Sequence, residues 1–277
     1  MDIIGSKIRT LRKNKNMTQE ELAEVLSVSP QAISKWENGQ STPDIELLPV
    51  IARYFGITMD EFFNYRLDAL NYKERFIRFM VDNGVLKFGD FKLNSGRVSP
   101  YYVDTSNYKT AAQIAKLGEF YAECIRENNV QAEMLYGNTG RETPLVISTS
   151  MILFKKYGID VNYCINNEIG NVLKEGQEVL IIEDTLTSGD TLRTTIEKIK
   201  KETGARVNGI VVSVDRQEKG KHISGTARYD IEKEFGVKVF SIVTFEDIIN
   251  TMKNGVISAE HLEKMTCYKA EYGGNHV

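Results

Sequence analysis

Hydrophobic positions recur along this chain with two different spacings, and the change separates its first quarter from the rest. Through residue 65 the spacing is helical. Ile4, Ile8 and Leu11 stripe a first helix. Thr18-Gln19-Glu20-Glu21 reads as a capping box that opens a second helix through Leu22, Ala23 and Leu26. Ser29 is placed to cap a third helix and Pro30 suits its first position. That helix runs Gln31-Ala32-Ile33-Ser34-Lys35-Trp36-Glu37 and stops at Asn38-Gly39. Pro43-Asp44 predicts the start of a fourth, and Thr58-Met59-Asp60-Glu61 the start of a fifth. Beyond residue 103 short apolar runs alternate with helix-prone segments. Strands are predicted at 133–136, 161–165, 179–182, 208–214 and 238–243, with helices at 111–127, 144–156, 192–203 and 228–235. That alternation predicts an α/β domain around a mostly parallel central sheet. Residues 66–72 contain no Gly or Pro run and read as a short linker leading into a helix at 73–80. Two domains, 1–65 and 73–277, are therefore expected, coupled rather than freely tethered.

Composition narrows the classes. A chain of 277 residues buries a real core. No apolar run approaches the length of a membrane span, and the N-terminus lacks a signal-peptide pattern. Cys124, Cys164 and Cys267 are far apart and odd in number, so neither a disulfide framework nor a metal site is expected, and a reducing cytosol is the expected location. His222, His261 and His276 show no ligand spacing either. The net charge of −3 neither demands nor excludes a nucleic-acid partner.

The densest chemistry lies at 179–191. Val179-Leu180-Ile181-Ile182 reads as a buried strand, followed by the acidic pair Glu183-Asp184 and by Thr187-Ser188-Gly189-Asp190-Thr191 at the start of a helix. Backbone N–H groups at a helix N-terminus, with hydroxyls beside them, suit a phosphate. Carboxylates only accept hydrogen bonds, so they suit ribose hydroxyls. This stretch resembles the ribose-phosphate signature of the type I phosphoribosyltransferases.

Two helices joined by a tight turn form a helix-turn-helix. The run from Met17 to Gly39 resembles the phage-repressor (Cro/repressor-type) DNA-binding domains across all five predicted helices. The resemblance implies that the third helix enters the major groove. Gln31, Ser34 and Lys35 would then face base edges, with Ser29 at the helix entry. Gln19 and Asn38 would hold phosphates, and Arg12 is a further DNA contact expected on this ground. Gln favours adenine and Lys favours guanine. Ala32, Ile33 and Trp36 read as core-facing or neutral. Residues 1–65 carry seven Lys or Arg against nine Asp or Glu, so the domain is not globally basic. The positives gather on the first helix and Lys35, and a one-sided field still binds DNA.

The remainder resembles the orotate phosphoribosyltransferase family over its full length. Residues 85–102, Val-Leu-Lys-Phe-Gly-Asp-Phe-Lys-Leu-Asn-Ser-Gly-Arg-Val-Ser-Pro-Tyr-Tyr, resemble the hood that contacts orotate, and Val214-Asp215-Arg216-Gln217-Glu218-Lys219-Gly220 the second substrate segment. The resemblance implies that Arg216 pairs with a ligand carboxylate and that Tyr102 and Val103 contact a pyrimidine edge. A guanidinium grips a carboxylate bidentately. It also implies a homodimer, which would present two reading helices to a palindromic operator. Departures are concentrated on the diphosphate side. The family carries a mobile loop rich in Arg, Lys and His that closes over the neighbouring subunit's site. Here the intervening segment, 165–178, is shorter and contains no Arg and no His, with Asn167-Glu168 where the family has Arg-Lys. Asn94 replaces a hood lysine. In the diphosphate segment 136–144 Arg141 keeps a positive charge, with Glu142 beside it. Charge-assisted hydrogen bonds contribute about 1.5–3 kcal/mol each, so these losses remove several kcal/mol of leaving-group stabilisation.

The expected ligand site is thus Glu183, Asp184, Thr187, Ser188, Gly189, Asp190, Thr191, Arg216, Tyr102, Val103, Arg141 and Asn94, with no catalytic residue and no metal ligand. No cofactor is called for, except that Mg²⁺ would accompany a phosphoribosyl pyrophosphate ligand. The function expected is a sequence-specific transcription regulator, cytoplasmic and not membrane-bound. Its partners are a double-stranded operator and a phosphoribosyl ligand: a pyrimidine nucleotide, orotate or phosphoribosyl pyrophosphate. Two rivals stand beside it: an active transferase that regulates its own operon, and a DNA-bound module whose second domain only dimerises.

Overall fold

A computed structural model of the chain describes residues 3–57, 59–62, 71–93, 96–138, 140–219 and 225–274. The chain divides into two compact units, Met1–Asn71 and Tyr72–Val277. Of the expected linker 66–72, only Asn71 and Tyr72 are among the described residues.

The first unit is helical: α1 (Ile3–Asn14), α2 (Gln19–Leu26), α3 (Pro30–Glu37), α4 (Leu48–Phe55) and α5 (Met59–Phe62). The capping box of α2 forms as its sequence predicts, with Thr18 accepting from the Glu21 N–H and the Glu21 carboxylate accepting from the Thr18 N–H. Ser29 caps α3 by accepting from the Ala32 N–H, and Pro30 occupies the first turn. Ile8, Leu22, Ile33, Ile51 and Phe62 meet in a fully buried core. Gly5 lies inside α1, where glycine weakens a helix, and packing explains it. A Cβ there would stand 1.8 Å from the Trp36 carbonyl oxygen, so α1 and α3 approach this closely only across a glycine. The fourth helix starts later than expected. Asp44 closes a turn by accepting from the Glu46 N–H at 3.0 Å, and the helix begins at Leu48. Pro49, lacking an N–H, must sit in a first turn and thereby sets that start. Thr58, expected to open the fifth helix, lies outside the described residues.

The second unit opens with α6 (Tyr72–Asp82) and the antiparallel hairpin β1 (Leu86–Lys92) and β2 (Val98–Val103), followed by a 3₁₀ turn at Thr105–Asn107. Then come α7 (Ala111–Glu127), β3 (Met134–Gly137), α8 (Glu142–Tyr157), β4 (Asn162–Ile165), β5 (Ile169–Gly170), β6 (Glu178–Leu186), α9 (Asp190–Thr203), β7 (Arg206–Asp215), α10 (Ala227–Phe235), β8 (Lys238–Thr244), α11 (Phe245–Lys253) and α12 (Leu262–Tyr272). A six-stranded sheet has the order β5-β4-β3-β6-β7-β8, parallel throughout except for the antiparallel edge strand β5. Side chains alternate across it. Leu135, Leu180, Ile182 and Val211 pack into one buried cluster, and Met134, Tyr136, Val179, Ile181 and Ile210 into another. Burial on both faces explains why these strands read as continuous apolar runs. The order turns at β3 and β6, where the C-terminal strand ends carry the loops considered next. Open α/β sheets form their ligand crevices at such a point.

Candidate functional site

In the first unit the third helix separates into two faces. Ile33 and Trp36 are buried, whereas Gln31, Lys35, Ser29 and Asn38 are exposed and Ser34 is half-buried. The side-chain amide of Asn38 donates to Ser34 Oγ at 3.5 Å. Arg12 belongs to the interior, which corrects its assignment as a DNA contact. It is 9% exposed and grips Glu37 through two bonds, Nε–Oε1 at 2.6 Å and Nη2–Oε2 at 2.9 Å, while Nη1 donates to the Met17 carbonyl at 2.6 Å. Gln19 is drawn into the same cluster, donating from Nε2 to Glu37 Oε2 at 2.8 Å. Burial alone would push the Glu37 carboxyl up, but the bonds from Arg12 and Gln19 hold it below the usual carboxylate range. Two charges 25 residues apart carry no local pattern, so nothing in the sequence around Arg12 marks its pairing with Glu37.

In the second unit a cavity of about 820 Å³ opens beside the ends of β2, β6 and β7. Its lining brings together Tyr102, Val103, Arg141, Asp184, Thr187, Ser188 and Arg216, seven of the twelve residues expected at the ligand. Asn94 lies outside the described residues. Between β6 and α9 the chain turns through Gly189, with φ at +78°. A side chain there would meet Ile231 Cδ1 at 2.7 Å, so this turn demands glycine twice over. The first residues of α9, Asp190 and Thr191, sit at its N-terminus, the positive end of the helix, which favours an anion. The Ser188 hydroxyl donates to Asp190 Oδ2 at 2.9 Å. Arg193 holds the turn from behind, donating from Nη1 to the Ser188 carbonyl at 3.0 Å and from Nε to Glu234 at 2.9 Å.

The two carboxylates are placed differently. Adjacent residues of a strand point to opposite faces. Asp184 lines the cavity, whereas Glu183 is 7% exposed, lies away from the cavity lining and faces Glu142. Burial, and then the neighbouring Glu142, push the Glu183 carboxyl up to about 8. Glu142 is likewise raised, by burial first and then by Asp184. Glu183, expected to receive a ligand hydroxyl, stands in this structure as a buried acid facing a second carboxyl. Asp184 is raised by burial, against the opposing hydrogen bond from Thr105 and the charge of Arg141. Thr105 donates to Asp184 Oδ2 at 2.6 Å and accepts from Arg141 Nη1 at 3.3 Å. Nothing in the local sequence marked Thr105, which comes from an element 79 residues away.

Arg216 is 4% exposed and its guanidinium lies 4.3 Å over the Tyr101 ring. Nε and Nη2 both bond Glu218 Oε1 at 2.8 Å, and Nη2 also donates to Ser99 at 3.2 Å. Tyr268 of α12 donates to the same Glu218 oxygen at 3.0 Å. Glu218 and Lys219 belong to the quoted second substrate segment yet were not assigned there as site residues; both line the cavity, as does Arg97 of the hood.

On the diphosphate side the chain makes a tight hairpin. Ile165 pairs with Ile169 and Cys164 with Gly170. The central residues Asn166 and Asn167 have φ of 50° and 60°, as a type I′ turn requires, and the Glu168 N–H closes it on the Ile165 carbonyl at 2.9 Å. Asn167 Oδ1 accepts from the Leu173 N–H at 2.9 Å, and Lys198 donates to Asn166 Oδ1 at 2.7 Å. Among the described residues no cluster of three or more His, Cys, Asp or Glu side chains is arranged to hold a metal.

A parallel sheet under a β-hairpin hood, with an acidic strand end and a glycine turn at a helix start, defines a phosphoribosyltransferase-type domain. Comparison with known proteins agrees. The pattern of the phosphoribosyl transferase domain matches residues 144–244, and that of the helix-turn-helix matches residues 8–62. An orotate phosphoribosyltransferase of Clostridium botulinum (strain Alaska E43 / Type E3) is 39% identical over 220 residues, covering 73% of this chain and 98% of that protein. One from Vibrio parahaemolyticus is 36% identical over 211 residues, covering 73% and 98%. The crystal structure of the Francisella tularensis orotate phosphoribosyltransferase superposes with a TM-score of 0.66 at 34% identity, covering 72% of this chain and all of that one. The chain belongs to the orotate phosphoribosyltransferase family and carries in addition an N-terminal helix-turn-helix DNA-binding domain.

Proposed function

We propose that this protein is a DNA-binding transcription regulator whose second domain senses a phosphoribosyl pyrimidine ligand without turning it over. The β4–β5 hairpin carries the reading. In the place where the family resemblance calls for a mobile Arg/Lys/His loop stands a closed turn tipped by Asn166, Asn167 and Glu168, its polar groups spent on its own chain. Leaving-group stabilisation by preorganised charge is usually the largest catalytic contribution; Lys92, Arg97, Arg216 and Lys219 line the cavity too, but from the diphosphate segment the cation that reaches it is Arg141, with Glu142 beside it. The ribose-phosphate side keeps its glycine turn, its helix N-terminus and Asp184. Arg216 and the hood favour a pyrimidine base. A homodimer in the cytoplasm would place two recognition helices on a palindromic operator, with Gln31, Ser34 and Lys35 reading bases and ligand binding shifting operator affinity.

Arg141 in the cavity favours a second reading, an active transferase that also binds DNA. One experiment separates the two. Purified protein with Mg²⁺ is titrated calorimetrically against phosphoribosyl pyrophosphate, orotate, and orotidine and uridine monophosphates, and the same samples are assayed for orotidine monophosphate formation. Binding without turnover is the expected result. Turnover moves the protein to the enzyme class, and absence of all binding leaves only the DNA-binding half of the reading. Operator affinity that is the same with and without every bound compound would remove the regulatory claim.

A further inference from the structure

We infer that Thr105 is a specificity-determining residue of the ligand cavity: its hydroxyl holds the place of a ribose hydroxyl on Asp184, so that a ligand lacking that hydroxyl is poorly rejected. The inference rests on the phosphoribosyl reading of the cavity. Thr105 Oγ1 donates to Asp184 Oδ2 at 2.6 Å, the short distance of a hydroxyl on a carboxylate. The same oxygen accepts from Arg141 Nη1 at 3.3 Å, so its one proton is committed to Asp184. Asp184 thus carries in the protein alone the type of bond it would make to a sugar.

The threonine is held there by its own surroundings. Asp104 accepts from Lys87 Nζ at 2.9 Å, and its N–H donates to the Val85 carbonyl at 2.7 Å. Asn107 Nδ2 donates to the Gly84 carbonyl at 2.8 Å. The 3₁₀ turn bearing Thr105 is therefore pinned to the base of the hood on both sides, whether or not a sugar is bound.

The thermodynamic consequence concerns discrimination. A site that bonds a ligand hydroxyl rejects the analogue lacking it because the protein acceptor is then left unpaired in a dry place. Here the acceptor is never left unpaired. A ribose hydroxyl that takes the same position on Oδ2 must turn the Thr105 hydroxyl away, exchanging one hydroxyl for another, whereas a deoxyribose leaves Thr105 in position at no cost. Removing the Thr105 hydroxyl restores the usual penalty: the ribonucleotide gains a bond it no longer has to compete for, and the deoxynucleotide gains nothing.

The test measures Kd for uridine 5′-monophosphate and for its 2′-deoxy and 3′-deoxy analogues on the full chain, as wild type, Thr105→Val, Thr105→Ala and Thr105→Ser, with melting curves to confirm folding. Wild type is expected to prefer the ribonucleotide by less than about five-fold over either analogue. In Thr105→Val and Thr105→Ala the preference over one analogue should rise by about ten-fold or more, through tighter ribonucleotide binding, and Thr105→Ser should behave as wild type. Alanine serves where valine perturbs the fold. Binding with an unchanged preference in folded Val and Ala variants overturns the inference alone. Failure of every variant to bind any of the three nucleotides overturns the phosphoribosyl reading and the inference with it.

Discussion

Two turns at the C-terminal end of the same sheet invite comparison, the one joining β6 to α9 and the one joining β4 to β5. Both depend on backbone conformations with positive φ, supplied by Gly189 in the first and by Asn166 and Asn167 in the second. They differ in what they do with their hydrogen-bonding groups. The β4–β5 turn consumes them: Glu168 bonds Ile165, Asn167 accepts from Leu173, Asn166 accepts from Lys198. The β6–α9 turn puts no side-chain cap on α9 and lines the cavity with two hydroxyl residues, Thr187 and Ser188. A turn closed on its own chain is scaffold, and one that sets hydroxyls and a helix start beside a cavity has something to offer a ligand. The first unit shows the same division, since Arg12 is spent on Glu37 whereas Gln31 and Lys35 remain exposed.

Substitutions should separate spent from unspent groups. The largest effect is expected at Arg12. Arg12→Ala strands the Glu37 carboxylate in the core and should cost the helical unit about 3–5 kcal/mol, read by chemical denaturation. Loss of DNA affinity at unchanged stability would return Arg12 to the DNA surface. Next come the exposed residues of α3. Lys35→Ala or Gln31→Ala should lower operator affinity by about 1–3 kcal/mol and relax base preference, without moving the melting temperature. The two turns of the sheet are then compared directly. Gly189→Ala should weaken phosphoribosyl binding as well as stability, the latter by about 1–3 kcal/mol, because the new methyl is both strained and crowded. Asn167→Ala should cost about 1 kcal/mol or somewhat more of stability and leave ligand affinity unchanged. Equal effects of the two on affinity would erase the distinction.

A last expected effect is one of pH. Glu183 titrates near 8 when folded, against 4.5 ordinarily, so the folded α/β unit binds the extra proton between those values. Its contribution is complete below about 4.5 and is lost as pH rises towards 8. The melting temperature of that unit should therefore decline across this window, and Glu183→Gln should flatten the decline. An identical slope in the variant would assign the titration elsewhere.

What could be read from the sequence follows the range of the interactions. The strands of the sheet were legible because burial on both faces makes them continuous apolar runs, and the β6–α9 turn because strand, turn and helix start are contiguous. Thr105 and the Arg12–Glu37 pair were not, because each partner sits on a different element. Glu183 and Asp184 look equivalent in one dimension, and only the alternation of the strand separates them. The hairpin at 165–169 was recognised as a shortened segment but not as a strand, since two residues of β5 show no period. α11 and α12 went unassigned, although Thr244 and Asp247 form a capping box that marks the start of the first.

β5 has one more consequence. It is the outermost strand of the sheet, two residues long, and ends in Gly170 with φ at +86°. Asn171 still bonds the Tyr163 carbonyl, but the bend at Gly170 leaves a second sheet almost no straight backbone on which to add a strand. Short, bent edge strands protect folded proteins from edge-to-edge aggregation. The hairpin is therefore also a guard for β4. Anyone who grafts a long basic loop between β4 and β6 to seek transferase activity would strip that guard, and should expect self-association unless the graft supplies another cover for the edge.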